Sequence, residues 1–338
     1  MEYRGREVKL KDIGEFGFIK WVERGCLIRE ANVIRGIGDD CCVFKTSGEM
    51  ATLLTTDMLV EEVHFLLGAI SPFELGRKSL AINLSDIAAM GGTPREAVIS
   101  IAIPDRLDLA TLDGVYQGMK SMAKEFAVNL LGGDTTSSPK HLVINIALAG
   151  EAKEDEILYR SGAMAGDVIF LTGPVGSSAA GLDLILKERE REGWEDLIEA
   201  HHNPYPQVKA GRIIAGMKVA NSLIDVSDGT AADLGHICSE SKVGAILEET
   251  MIPTTGKFRD YCRTFQEDSR HLSLQVGEDY VLLGTVVPGW ASDLRAALES
   301  GGCEFYQIGQ VVAEPGLKLR TRENSLETMG AKGWDHFK

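Results

Sequence analysis

The side chains best equipped for chemistry in this sequence are carboxylates placed at turns. Asp39 and Asp40 follow a glycine turn in GIGDDCCVF (36–44), Asp57 closes TTD (55–57), and Asp134 sits in GGDT (132–135). Asp225 and Asp228 flank the turn of IDVSDG (224–229), while Asp86 lies in a helical stretch. An aspartate at a strand end is common because it bonds its own backbone and caps helices. So many of them beside Gly, Ser or Thr point to a shared task. Gathered together they would repel one another unless protonated or neutralised, and hard oxygen ligands select Mg²⁺ or Ca²⁺. Mg²⁺ is held by a few carboxylates, water and substrate phosphates, which makes a nucleotide the natural ligand.

The charge balance agrees. The 338 residues carry a formal net charge of -15. With no cluster of Lys and Arg, the chain lacks the electrostatic footprint of a nucleic-acid binder. A phosphate ligand would meet an acidic surface and need metal ions as counter-charge. Common phosphate-loop, metal-site and nucleophile signatures do not occur: there is no GxxxxGK[ST] loop, no HExxH, no EF-hand spacing and no GxSxG. TGPVGSSAAGLDLI (172–185) follows a strand and opens a helix, but without GxGxxG spacing it reads as a tight turn. Apolar stretches break well before the ~18 residues of a membrane span. The start, MEYRGREVKLKD, has no apolar signal core, so a cytoplasmic setting is expected. Cys26, Cys41, Cys42, Cys238, Cys262 and Cys303 form no CxxC pair and read as reduced and structural.

These acids must be positioned by alternating elements. A helix is expected over 11–28, a buried strand over 51–57, and a helix over 73–90 with Leu80, Leu84, Ile87 and Ala88 on one face. Asn83, Asp86 and Met90 form an adjoining stripe. Strands follow at 96–103, 128–134 and 141–151, with a helix over 108–126. The polar, small-residue interval 152–166 marks a boundary, giving domains 1–151 and 152–338, a length suited to two domains of roughly 150 residues. Beyond it come a strand at 167–172, helices, a charged segment KEREREGWED (187–196) that reads as a solvated helix end, and a strand leading into IDVSDG. The class is α/β or mixed α+β in two packed domains.

Taken in order, GIGDDCCVF, TTDMLVEEVHF, KSLAINLSDIAAMGGTP, LLGGDTTSSP, YRSGAMAGD, TGPVGSSAAGL, LIDVSDGTAADLGHI, VGEDYVLL and the terminal GWDHF resemble thiamine-monophosphate kinase. That family belongs to the superfamily of aminoimidazole ribonucleotide synthetase, selenophosphate synthetase and a hydrogenase maturation factor. The resemblance implies an N-terminal α/β domain whose sheet completes a barrel across a homodimer, and a C-terminal α/β domain. It implies transfer of phosphate from ATP to thiamine monophosphate with several Mg²⁺ ions. By motif match, Asp40, Thr55, Thr56, Asp57, Asp86, Asp134, Asp225 and Asp228 would hold metal. Tyr116, Gly133, Asp134, Arg160 and Ser227 would contact ATP, and His64, Glu278 and Trp334 the thiamine phosphate. Asp57, Asp86 and Arg160 would carry the catalysis. The chain departs from the family pattern at Val276, Val281 and Thr230. A sister activity would want a reactive Cys, but Cys26 lacks a Gly-rich loop and the tail GWDHFK has no thiol. A non-catalytic nucleotide- or thiamine-phosphate-binding regulator would be favoured by lost acids, and none is missing.

Overall fold

The computed structural model describes residues 14–15, 17, 19–20, 31–45, 48–331 and 333. The helix expected over 11–28 lies largely outside the described residues, as do Cys26 and Trp334. Two sheets organise the chain. The first has the order β1-β2-β3-β6-β4-β5. Its strands are β1 (Val33–Arg35), β2 (Cys42–Lys45), β3 (Met50–Val60), β4 (Thr93–Pro104), β5 (Asn129–Ser138) and β6 (Val143–Lys153). Neighbours are antiparallel except β4 and β5. The second sheet has the order β13-β12-β9-β11-β7-β10-β8. It comprises β7 (Val168–Leu171), β8 (Ala220–Asp225), β9 (Gly244–Glu248), β10 (Leu282–Val286), β11 (Tyr306–Val312), β12 (Gly316–Arg320) and β13 (Leu326–Met329). The mixed α/β class is as the alternation predicts, and neither sheet closes on itself. Among the described residues, no helix is long and apolar enough to cross a membrane. Cys41, Cys42, Cys238, Cys262 and Cys303 are free thiols.

Helix α1 (Pro72–Ala89) joins the two halves. Its start is a capping box: Ser71 Oγ accepts from Glu74 N at 3.2 Å, Glu74 Oε2 accepts from Ser71 N at 2.9 Å, and Pro72 opens the first turn. Leu80, Leu84 and Ile87 enter the core beneath the first sheet, whereas Ala88 and Ala89 enter a core with Phe170 and Ile214 of the second half. The helix is therefore buried on nearly every side rather than along the single face expected from its pattern. Asn83 and Met90, placed on an edge stripe, are fully buried as well. Polar groups in such a helix must find partners inside the protein.

Two strands outrun their expected ends. β3 continues through Val60 because β6 pairs with it along its whole length, Asp57 opposite Ile146 and Val60 opposite Val143. β5 continues to Ser138 because β4 pairs with it in parallel, Ser100 opposite Asp134 and Ile101 opposite Thr135. Asp57 and Asp134 thus lie inside strands, and the two-residue alternation fixes which sheet face each presents.

Backbone contacts hold α1 in place. A Cβ on Gly76 would lie 1.9 Å from the Val115 carbonyl oxygen, and one on Gly118 would lie 2.0 Å from that of Phe73. Both partners belong to the crossing of α1 with α2 (Leu109–Glu125). Gly76→Ala should cost about 1–3 kcal/mol through overpacking. Thermal unfolding checks this, and a melting temperature within about 1 °C of wild type would contradict it, because 1 kcal/mol moves the midpoint by more.

Candidate active site

Asp40, Asp86 and Asp225 come from three separate elements, and each offers an oxygen within 4.8 Å of the others. Asp40 ends the glycine turn before β2, Asp86 projects from α1, and Asp225 is the last residue of β8. Thr55 and Asp57 join them from β3, since odd-numbered positions on that strand face α1. The Thr55 hydroxyl donates to Asp86 Oδ2, and Ser85 Oγ donates to Asp225 Oδ2 at 2.6 Å. Asn83 Oδ1 accepts from Asp57 N at 3.2 Å. About one turn of α1, from Asn83 to Asp86, therefore supplies one acid and two groups that orient others.

Arg160 is the guanidinium that meets this group. Its Nε and Nη2 both donate to Asp40 Oδ1, at 3.2 and 2.6 Å. Burial would lower the Arg160 pKa, but the Asp40 carboxylate more than offsets that and raises it. Asp40 Oδ2 is buried, and no protein donor among the described residues reaches it. Asp39 stands behind, accepting from Arg160 N at 3.2 Å and paired with Arg35.

The carboxylates around this point are hard to ionise. Burial, then Asp57, Asp225 and Asp40, push Asp86 well above the usual range. Burial and then Asp40 raise Asp225 to about 7, against the Ser85 hydrogen bond. Burial raises Asp57 to about 6, with a hydrogen bond to Asp86 opposing it and Asp40 reinforcing it. Burial and then Asp40 lift Asp39 to about 6, although Arg35 opposes them.

Two loops of the second half close the site. In the first, Asp233 Oδ2 accepts from Asp228 N at 3.2 Å and Gly229 N at 3.1 Å, which fixes the turn carrying Ser227 and Asp228. Asp228, Asp233 and His236 form a second group with atoms within 4.8 Å. In the second, Glu278 N donates to Ser227 O at 2.8 Å, and a Cβ on Gly277 would lie 1.9 Å from that same oxygen. Glu278 Oε2 lies 3.2 Å from Lys78 Nζ and 3.2 Å from His201 Nδ1. Asp279 accepts from Gly176 N at 2.9 Å, so the Gly-rich turn at 172–185 already receives a carboxylate of the chain itself.

Other candidates lie apart from the acid group. The Thr56 hydroxyl is on the opposite sheet face, donating to Ile146 O at 3.1 Å. Asp134 shares that outer face, opposite Ser100, and β6 and β4 stand between β5 and β3. Three strand spacings put it about 14 Å from Thr55 and Asp57 along the sheet. Gly133, at φ +152, runs so close to β4 that a Cβ would lie 1.6 Å from Ile99 O. Tyr116 lines a cleft of about 690 Å³ with Ile101, Leu112, Lys120 and Thr135, beneath the open β5 edge and away from the acids. His64 Nδ1 accepts from Val60 N at 3.0 Å, so the neutral ring carries its proton on Nε2. Sequence reasoning missed Lys78, Asn83, Ser85, His201 and Asp233. The alternation of β3 could have separated Thr56 from Thr55.

The model for the AIR synthase related protein N-terminal domain matches residues 38–152, and that for the corresponding C-terminal domain matches residues 164–322. A thiamine-monophosphate kinase of Bacillus subtilis is 35% identical over 92% of this chain and 96% of its own length. That of Escherichia coli K12 is 34% identical over 96% of this chain and 98% of its own. A solved structure described as AaThiL complexed with AMPPCP and TMP superposes with a TM-score of 0.85 at 31% identity, covering 98% of this chain and 99% of that one. With both halves matched and these relatives spanning nearly the full length, the chain belongs to the thiamine-monophosphate kinase family of AIR synthase related proteins.

Proposed function

We propose that this chain transfers the terminal phosphoryl group of ATP to thiamine monophosphate, forming ADP and thiamine diphosphate. The observation that carries this reading is the convergence of Asp40, Asp86 and Asp225 around a buried Asp40 oxygen that no protein donor among the described residues reaches. The names of the relatives and the two ligands in the description of the solved homologue support the choice of donor and acceptor.

The donor set suits Mg²⁺, being carboxylate and hydroxyl oxygen throughout and held close despite repulsion. Asp40, Asp57, Asp86, Asp225 and the Thr55 hydroxyl would hold it, with Asp228 on the adjoining turn. Mg²⁺ bound there would neutralise phosphate charge and stabilise the negative charge of an in-line transfer. Arg160 would add a fixed positive charge beside Asp40, and Ser227 would face the nucleotide from the turn held by Asp233. The acceptor is itself a phosphate, largely ionised near neutral pH, so no side chain has to remove a proton from it. His64 Nε2–H and Glu278 would engage the two ends of the thiamine phosphate. The role of Trp334 rests on the sequence resemblance.

Homodimerisation belongs to the same proposal. Leu54, Met58 and Val98 are exposed on the outer face of the first sheet, and among the described residues no further strand pairs with the β5 edge. An exposed apolar face with an unpaired edge favours association with a second sheet. A barrel formed with a second copy would cover this face, on which Thr56 and Asp134 also lie. The 151/152 domain division and a cytoplasmic setting, where ATP and Mg²⁺ are supplied, complete the reading.

Incubation with ATP, Mg²⁺ and thiamine monophosphate should yield thiamine diphosphate and ADP in equal amounts by chromatography. Asp86→Asn should lower kcat by at least about a hundredfold, the scale of losing one electrostatic stabiliser. ADP without thiamine diphosphate, or full turnover by Asp86→Asn, would contradict the assignment.

The raised pKa values give a second expectation. With Asp39, Asp57, Asp86 and Asp225 titrating above the unfolded carboxylate range, the folded chain binds more protons than the unfolded one between about pH 4 and 7. Stability is then fully present below the unfolded pKa and falls as pH rises through the folded values. In chelator the protein should melt higher near pH 5 than near pH 7.5, and Asp225→Asn should raise the melting temperature at the higher pH by about 2–4 °C per kcal/mol regained. A chelated wild type that melts higher at the upper pH would contradict the charge account.

A further inference from the structure

Lys78 is a cation in a place that its helix pattern does not explain. It is 1% exposed, within a stretch of α1 where Leu75, Leu80 and Leu84 are fully buried. An ammonium taken out of water costs several kcal/mol unless a counter-charge meets it. The partner is Glu278, whose Oε2 lies 3.2 Å from Lys78 Nζ. The same oxygen lies 3.2 Å from His201 Nδ1, which also lies 3.1 Å from Ser178 Oγ. Burial and then Lys78 hold His201 well below its usual pKa, so it stands there as a neutral ring. Among the described residues, both Glu278 contacts fall on Oε2. Oε1 takes neither, on a side chain 26% exposed.

The loop bearing Glu278 needs this support. Glu278 and Tyr280 have φ of 62 and 50, on either side of the half-buried Asp279. Left-handed backbone at residues other than glycine persists where the surroundings hold it, and it clusters at ligand clamps. Lys78 reaches the loop from the first half of the chain, on the same helix as Asp86 and eight residues, about 12 Å, before it. One rigid helix thus sets both the acid group and the position of Glu278.

We propose that Lys78 is a positioning residue for the acceptor: by holding Glu278 Oε2, it presents Oε1 to the cationic organic end of thiamine monophosphate. This rests on the thiamine-monophosphate kinase reading above. Lys78 touches neither phosphate nor metal in this role and acts through Glu278 alone.

Steady-state kinetics on the full chain test it. Lys78→Met keeps the length and removes the charge, and should raise KM for thiamine monophosphate about tenfold, the worth of one charge-assisted hydrogen bond, with KM for ATP moving less than about twofold. Glu278→Met leaves the buried Lys78 ammonium without this partner, and adding Lys78→Met removes that charge; between these two variants KM for thiamine monophosphate should change by less than about twofold, since both changes remove one interaction. This second comparison also decides the matter where Lys78→Met alone fails to fold. Equal loss for both substrates, or effects that multiply in the double variant, would show a general structural role and overturn the proposal. An active wild type with an unaltered Lys78→Met KM would sink this inference and leave the proposed function standing. A wild type without turnover would sink both.

Discussion

Carboxylate repulsion is the constraint to which the rest of the structure answers. At the 4.8 Å that bounds the Asp40, Asp86 and Asp225 oxygens, two unit charges in an effective dielectric of about 20 repel by roughly 3–4 kcal/mol. Three such pairs approach 10 kcal/mol, as large as the net stability of a typical domain. The chain does not relieve this by separating the acids. Burial raises the pKa of Asp86 and Asp225, the Thr55 and Ser85 hydroxyls donate to those two, and one guanidinium is set against Asp40. What remains is a buried Asp40 oxygen with no protein donor among the described residues, the deficit that the proposed Mg²⁺ and polyphosphate would fill.

Such a group can be held together only by a stiff frame, and α1 supplies it. The helix contributes side chains to the cores of both halves, and its backbone lies against α2 at Gly76 and Gly118. The loops of the second half are then pinned to it by Ser85 on Asp225 and Lys78 on Glu278. Catalysis of phosphoryl transfer is largely a matter of positioning and electrostatics, so rigidity here is functional.

Much of this was legible in the residues. The acids beside Gly, Ser and Thr read as one shared group, and Asp40, Asp86 and Asp225 do lie together; the helix over 72–89 was visible from its apolar spacing. Asp57 and Asp134 read as strand ends because Thr, Asp and Ser resemble turn residues, yet a neighbouring strand was there to carry the pairing on. Lys78 was illegible for a different reason. A lysine in a helix normally signals solvent, and its partner lies 200 residues away in sequence. Thr55 and Thr56 share one motif, but the strand turns their side chains to opposite faces.

The protonation state of the acid group is therefore the quantity to measure. Carboxyls with pKa near 6 to 7 or above must lose protons before a divalent cation can bind. Calorimetric titration of Mg²⁺ and a non-hydrolysable ATP analogue into the protein, near pH 6.5 in two buffers of different ionisation enthalpy, counts those protons. The account predicts release of about one proton or more per chain beyond that of the nucleotide alone, diminishing above about pH 8. Binding with no proton release at the lower pH would show that the carboxylates were already ionised and would contradict it.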